Sequence, residues 1–179
     1  PILVTCQEAK DTEIWGPIPE EVYTISDSAP PTDAIILFDG SDLSKWKPRW
    51  GKDESEWKIN KDGSVTVVFD DTGGIETKEN FGSVQLHVEW KTSEDTSFTN
   101  QKRSNSGVFL QGRYEIQILD SYKSPTYVNG QAGSVYKQYI PLVNASRKPG
   151  EWQSYDIIFD APEFNSCLLY TSPSPRDRH

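Results

Sequence analysis

The chain has 179 residues, a formal net charge of −9 and a pI near 4.7, so no basic stripe exists to neutralise phosphates and nucleic-acid binding is excluded as a reading. No stretch approaches the roughly 20 apolar residues that span a bilayer as a helix. Aromatic residues make up 12%, with six Trp and eight Tyr, a supply that serves core packing and suits sugar stacking.

Residues 1–6, Pro1-Ile2-Leu3-Val4-Thr5-Cys6, read as the end of a signal peptide. Cleavage after Cys6 leaves Gln7 as the first residue. Alternatively, Leu3-Val4-Thr5-Cys6 is an imperfect lipoprotein box in which Cys6 is acylated. Either route predicts a periplasmic or secreted protein. Residues 7–33 carry Pro17, Pro19, Pro30 and Pro31 without a sustained period, and are predicted to be an extended leader.

The domain proper is predicted over 34–165. It opens on an apolar run, 34–38, expected to be a strand and closed by a turn at Asp39-Gly40, with a loop or helical turn at 42–46. Runs 57–59 and 64–68 flank Asn60-Lys61-Asp62-Gly63, a hairpin signal. A strand over 84–90 follows, then a polar loop over 93–104. Strands are next expected at 105–111 and from Tyr114 onward, joined by a tight turn at Gly112-Arg113. A loop with Gly130 and Gly133 leads to Ser134-Val135-Tyr136, and the last strand covers 153–159. Short strands, frequent turn signals and almost no helical period predict an all-β, antiparallel sandwich or jelly roll.

Residues 166–179 share neither pattern nor composition with what precedes them, and are expected to be a non-native tail (a natural Ser/Pro tail is the other reading). On the first reading Cys167 and His179 carry no function, and the single remaining cysteine forms no internal disulfide.

Two strands carry chemistry. In Tyr114-Glu115-Ile116-Gln117-Ile118-Leu119-Asp120-Ser121 the isoleucines fall on one face, with Glu115 and Gln117 on the other. One bulged residue would bring Asp120 round to join them. In Val84-Gln85-Leu86-His87-Val88-Glu89-Trp90 the apolar residues alternate with Gln85, His87 and Glu89. If the two strands are neighbours, His87, Glu89, Glu115 and Gln117 form one polar face able to bind a polyol, abstract a proton or hold a cation.

These residues are joined by a resemblance. Leu37-Phe38-Asp39-Gly40-Ser41-Asp42-Leu43-Ser44-Lys45-Trp46 resembles the opening motif of the 3-keto-disaccharide hydrolase domain family. Leu86-His87-Val88-Glu89-Trp90, Asn105-Ser106-Gly107-Val108, Tyr114 to Ser121, and Pro149-Gly150-Glu151-Trp152-Gln153-Ser154-Tyr155-Asp156 match in the same order. The resemblance implies a concanavalin A-like jelly roll, here lacking the family's C-terminal strands, that acts on glycosides whose C3 hydroxyl is oxidised to a ketone. It also implies His87, Glu89, Asn105, Glu115, Gln117 and Asp120 as groove residues. The strand 115–120 is more faintly similar to the catalytic strand of jelly-roll β-glucanases. Asp in place of the last Glu, however, withdraws one carboxyl from the spacing that retaining hydrolysis needs.

A 3-keto sugar is cleaved by removal of the C2 proton, expulsion of the C1 substituent and addition of water. The expected catalytic residues are His87, Glu115 and Asp120, with His87 or Glu115 as base. Glu89, Asn105, Gln117, Tyr136 and Trp152 are expected to bind substrate, Tyr136 or Trp152 by stacking. A divalent cation on Glu89, Glu115 or Asp120 is compatible with these ligand types. The partner is then an oligosaccharide or glycoside. A non-catalytic, lectin-like module would use the same residues without a base.

Overall fold

The computed structural model describes residues 13–14, 16–26, 29–51, 54–68, 73–164 and 170–171. Cys6, Cys167 and His179, and with them the expected signal segment and most of the expected tail, lie outside the described residues. Every strand pairing is antiparallel. Helix is confined, among the described residues, to the 3₁₀ turns Asn100–Lys102 and Val128–Gly130, and no helix there is long and apolar enough to cross a membrane. The chain divides into two compact units, Pro1–Glu79 and Asn80–His179.

In the first unit, β1 (Trp46–Pro48) will pair with a later strand, and β2 (Lys58–Ile59) forms the predicted hairpin with β3 (Val65–Thr66). The turn closes by Asn60 N donating to Ser64 O at 2.8 Å, and Asn60 Nδ2 donates to Thr66 Oγ1 at 2.8 Å. The partner of β1 is β4 (Ile75–Thr77), with Trp46 opposite Thr77. The run 34–38 is not a strand, contrary to its apolar pattern. Side chains take up its carbonyls instead: Lys45 Nζ donates to Ile36 O at 2.5 Å and Trp46 Nε1 to Leu37 O at 2.8 Å. Asp39 and Asp42 each accept from a backbone amide two residues on, at 2.9 and 2.8 Å, forming Asx turns. The motif that opens the family resemblance is thus a self-bracing loop. Upstream, a bridge between Thr24 and Pro31 folds part of the predicted leader into a turn.

In the second unit, β5 (Val84–Lys91) alternates between half-buried and exposed positions until Trp90, which is buried. β6 (Ser106–Leu110) and β7 (Tyr114–Ile118) form the predicted hairpin. Its turn has Gln111 at φ 50° and Gly112 at φ 63°, and Arg113 N donates to Leu110 O at 3.1 Å. Positive φ at both central residues is the type I′ turn that matches strand twist. β8 (Trp152–Phe159) pairs with β5 along its whole length, from Lys91 opposite Trp152 to Val84 opposite Phe159. Beyond it, β9 (Glu163–Phe164) pairs antiparallel with β10 (Tyr170–Thr171), a pairing that no alternation in the sequence had signalled.

β5 therefore neighbours β8, while β7 neighbours β6. The condition that would join His87 and Glu115 on one face, adjacency of their strands, is not met. The two pairs meet instead face to face. Tyr114 of β7 packs on Phe159 of β8, ring centroids 5.7 Å apart, and within the β5–β8 pair Tyr155 lies against Trp90 at 5.1 Å. Tyr155 Oη donates to the Gln117 carbonyl at 2.7 Å. Alternation then turns the Tyr114, Ile116 and Ile118 side of β7 toward β8, as the sequence predicted. This all-β, antiparallel arrangement is consistent with a jelly-roll sandwich.

Candidate functional site

With the isoleucine side of β7 committed to the core, Glu115 and Gln117 project on its other face. A third segment completes that face. Gln117 N donates to Ser134 O at 3.0 Å and Tyr136 N to Glu115 O at 2.9 Å, with Ile116 bridged to Val135. Residues 134–136 thus run antiparallel beside β7, and opposite residues share a face. Register sets Gly107, Gln117 and Ser134 in one row and Phe109, Glu115 and Tyr136 in the next.

Glu115 is half-buried, and its side chain lies across Gly107: a Cβ there would stand 2.4 Å from Oε1. Glycine inside a strand marks such an approach. Burial pushes the Glu115 carboxyl above its ordinary value. That is the direction a general base needs if it is to take a proton near neutrality.

Gln117 has no exposed surface. With its amide placed so that oxygen and nitrogen both find partners, Nε2 donates to Ser106 O at 2.9 Å and to Glu115 Oε1 at 3.3 Å. Gln117 is expected to contact substrate, but its side chain is fully covered and faces its protein neighbours, Ser106 and Glu115 among them. Gln101 is the cover. It donates to Thr126 Oγ1 at 2.8 Å and Gly130 O at 2.9 Å, and its own carbonyl accepts from exposed Asn105 Nδ2 at 2.9 Å.

Over the next row sit two tyrosines. Tyr127 Oη and Tyr136 Oη are 2.5 Å apart. The Tyr127 ring packs so closely on Gly130 that a Cβ there would stand 2.0 Å from Cε2. Lys137 Nζ lies 4.6 Å from the Tyr127 ring centre and 5.8 Å from that of Tyr136.

Asp120 does not join this face as a free carboxylate. It is buried, and Arg103 Nε donates to its Oδ2 at 2.9 Å with a second, closer contact from Arg103 Nη2. Tyr122 N donates to the remaining oxygen at 3.1 Å. Both oxygens are engaged by these donors, so the expected swing of Asp120 to join Glu115 and Gln117 as a free carboxylate does not occur.

His87, Glu89 and Trp152 lie elsewhere. They share the exposed side of the β5–β8 pair, opposite the side that packs on β7. His87 Nδ1 is 2.7 Å from Asp156 Oδ1, both side chains more than half exposed (59% and 80%). Lys91 Nζ sits 5.0 Å from the Trp152 ring centre. The expected pairing of His87 with Glu115 is thus corrected, because two packed layers separate their faces. Glu89, Glu115 and Asp120 do not converge, and among the described residues no three His, Cys, Asp or Glu side chains gather as metal ligands.

Of the expected residues, the fold brings together Asn105, Glu115, Gln117 and Tyr136. Gln101, Tyr127 and Lys137 were missed, since they lie in aperiodic loops and reach the site through tertiary contacts. Gly107 carried a signal, being the lone glycine inside a strand.

The profile of the 3-keto-alpha-glucoside-1,2-lyase-like domain matches residues 33–168. A crystal structure at 2.13 Å from Parabacteroides distasonis ATCC 8503, named a "putative glycosyl hydrolase", is 46% identical with a TM-score of 0.81. The alignment covers 91% of this chain and 70% of that one. A second crystal structure from the same organism, under the same name, shares the fold at 22% identity and a TM-score of 0.56, over 80% of this chain and 73% of that one. No curated protein matches.

Proposed function

The chain belongs to the 3-keto-alpha-glucoside-1,2-lyase-like domain family, a glycosyl hydrolase-like group of carbohydrate-active proteins, and from that premise we propose that it cleaves glycosides carrying a ketone at C3. Glu115 is the base that removes the C2 proton. The enolate expels the C1 substituent, and water then adds across the new double bond.

One observation carries this reading: among the described residues, the face formed by β7 and its two neighbours presents a single carboxylate, Glu115, with Lys137 as the cation over its tyrosine rings. Retaining glycosidases need two carboxyls about 5–5.5 Å apart, and inverting ones need two at about 6.5–9.5 Å. Elimination next to a ketone needs one base, with hydrogen-bond donors for the oxygen that gains charge. Asn105 and Tyr136 are such donors, and Gln117 holds the base.

The test is incubation with a 3-keto-glucoside, followed by measurement of released aglycone. Release that disappears in Glu115→Gln supports the proposal. No release, together with millimolar binding of the unmodified sugar, would establish the lectin-like module instead.

A further inference from the structure

Resting on the elimination reading above, we propose that Tyr136, positioned by Tyr127 and Lys137, is the catalytic partner of Glu115 and donates a hydrogen bond to the C3 oxygen as it takes up negative charge. The cation over the two rings argues for this. Lys137 Nζ stands 4.6 and 5.8 Å from their centres, so a cation covers one face of each ring, which favours a role for the hydroxyls over stacking. The reactive ends of the pair are its hydroxyls, held 2.5 Å apart by rings whose centroids lie at 6.2 Å.

Two hydroxyls in contact share one hydrogen, and the acceptor keeps its own hydrogen free to point elsewhere. Either hydroxyl of the pair can donate, and the arrangement that serves the reaction is the one in which Tyr127 donates; the bond to Tyr136 pushes the Tyr127 phenol up to about 12. Close packing on Gly130 fixes its ring. Tyr136 is then the acceptor, and a hydroxyl that already accepts a bond donates its own more strongly. Tyr136 also stands directly across from Glu115, its amide on the Glu115 carbonyl at 2.9 Å. Cross-strand neighbours of this kind have Cβ atoms about 5 Å apart, so the two side chains leave the sheet side by side on one face.

The step balances as follows. The C2–H electron pair moves into a C2–C3 double bond, the carbonyl pair moves onto oxygen, and the proton goes to Glu115. Tyr136 keeps its proton throughout. The oxygen pair then re-forms the C3 carbonyl, the C2–C3 pair moves to make a C1–C2 double bond, the C1–O bond breaks with its pair on oxygen, and that oxygen takes the proton from Glu115.

The experiment measures kcat and KM for aglycone release from a 3-keto-glucoside, across pH, for the unsubstituted protein, Tyr136→Phe and Tyr127→Phe. Tyr136→Phe is expected to lower kcat about 100-fold with KM little changed. Tyr127→Phe is expected to lose less, again in kcat and not in KM, because Tyr136 loses the partner that orients its hydroxyl. An isosteric ring-fluorinated tyrosine at position 136 keeps the hydroxyl and should retain most of the activity that Tyr136→Phe loses. Release by Tyr136→Phe at the unsubstituted rate, or a larger loss in Tyr127→Phe, overturns this inference alone. No release by the unsubstituted protein overturns it together with the reading on which it rests.

Discussion

The Glu115 side chain occupies the space that a side chain at Gly107 would need: an added Cβ would stand 2.4 Å from Oε1 and 2.7 Å from Cγ. Gly107 lies inside β6, opposite Gln117, so the two strands hold the carboxylate between them. Gly107→Ala should therefore act on position more than on folding. The atoms in conflict belong to a flexible side chain that can swing away, so the stability loss should be only about 1 kcal/mol. A base displaced by about 1 Å loses roughly 100-fold in rate. Urea unfolding and aglycone release, measured on one preparation, separate the two effects. A variant with full activity would show that Glu115 does not work from this position.

Glu115 also links activity to pH. Burial raises its carboxyl above the ordinary 4.5, so the folded state binds the proton more tightly than the unfolded chain. Stability then falls as pH rises from the ordinary value through the raised one, and the ionised form carries a stability cost above that window. Glu115→Gln removes the cost. Its Tm at pH 7 should be no lower than that of the unsubstituted protein, with a flatter pH dependence just above 4.5, while aglycone release disappears. In the unsubstituted protein kcat/KM should rise with pH through the same window, because only the ionised carboxylate accepts a proton. A several-degree drop in Tm for Glu115→Gln would contradict this account.

How much of this was legible beforehand follows the range of the interactions. The strands β5, β6, β7 and β8 were readable because alternation and turn chemistry are local, and the two faces of β7 followed from period two. Strand order was not readable. Val84 to Lys91 could pair with any strand of similar pattern, and which one it chose decided that His87 and Glu115 face apart. The run 34–38 misled because its apolar pattern says nothing about Trp46 and Lys45 capturing its carbonyls. Asp120 misled for a related reason: a carboxylate beside Glu115 in sequence looks catalytic until Arg103, 17 residues earlier, is seen to hold it.

Asp120 should matter for folding. The Arg103 and Asp120 side chains are 12% and 1% exposed, and removing one member of a buried pair leaves the other charge uncompensated. Asp120→Ala is expected to cost about 3–5 kcal/mol. Arg103→Met combined with Asp120→Leu removes both charges and should recover much of that loss. If Asp120→Ala unfolded at the same denaturant concentration as the unsubstituted protein yet released no aglycone, Asp120 would be a chemical participant after all.

His87→Ala should be nearly silent. Its partner Asp156 is 80% exposed and His87 itself 59%, and exposed ion pairs contribute between about 0 and 1 kcal/mol. The residue sits on the side of the β5–β8 pair that faces away from Glu115, so kcat/KM should stay within roughly twofold. Loss of turnover in His87→Ala with unchanged stability would return the histidine to the chemistry.

Tyr155 ties the two layers together beneath the site. Its hydroxyl donates to the Gln117 carbonyl at 2.7 Å, and that carbonyl also accepts from Gly133 N at 3.0 Å. Tyr155→Phe keeps the ring against Trp90 and leaves the carbonyl one partner, so the loss should be about 1 kcal/mol. Alkaline unfolding gives the sharper signature. Burial raises the Tyr155 phenol above its ordinary 10.0, so the folded state keeps a proton that the unfolded chain gives up. Stability conferred by the neutral phenol is therefore lost as pH climbs past about 10. Phenylalanine has no proton to lose, and Tyr155→Phe should unfold at higher pH than the unsubstituted protein despite its lower stability at pH 7. Crossing of the two stability–pH curves is the expected result, and parallel curves would show that the phenol does not link the layers in this way.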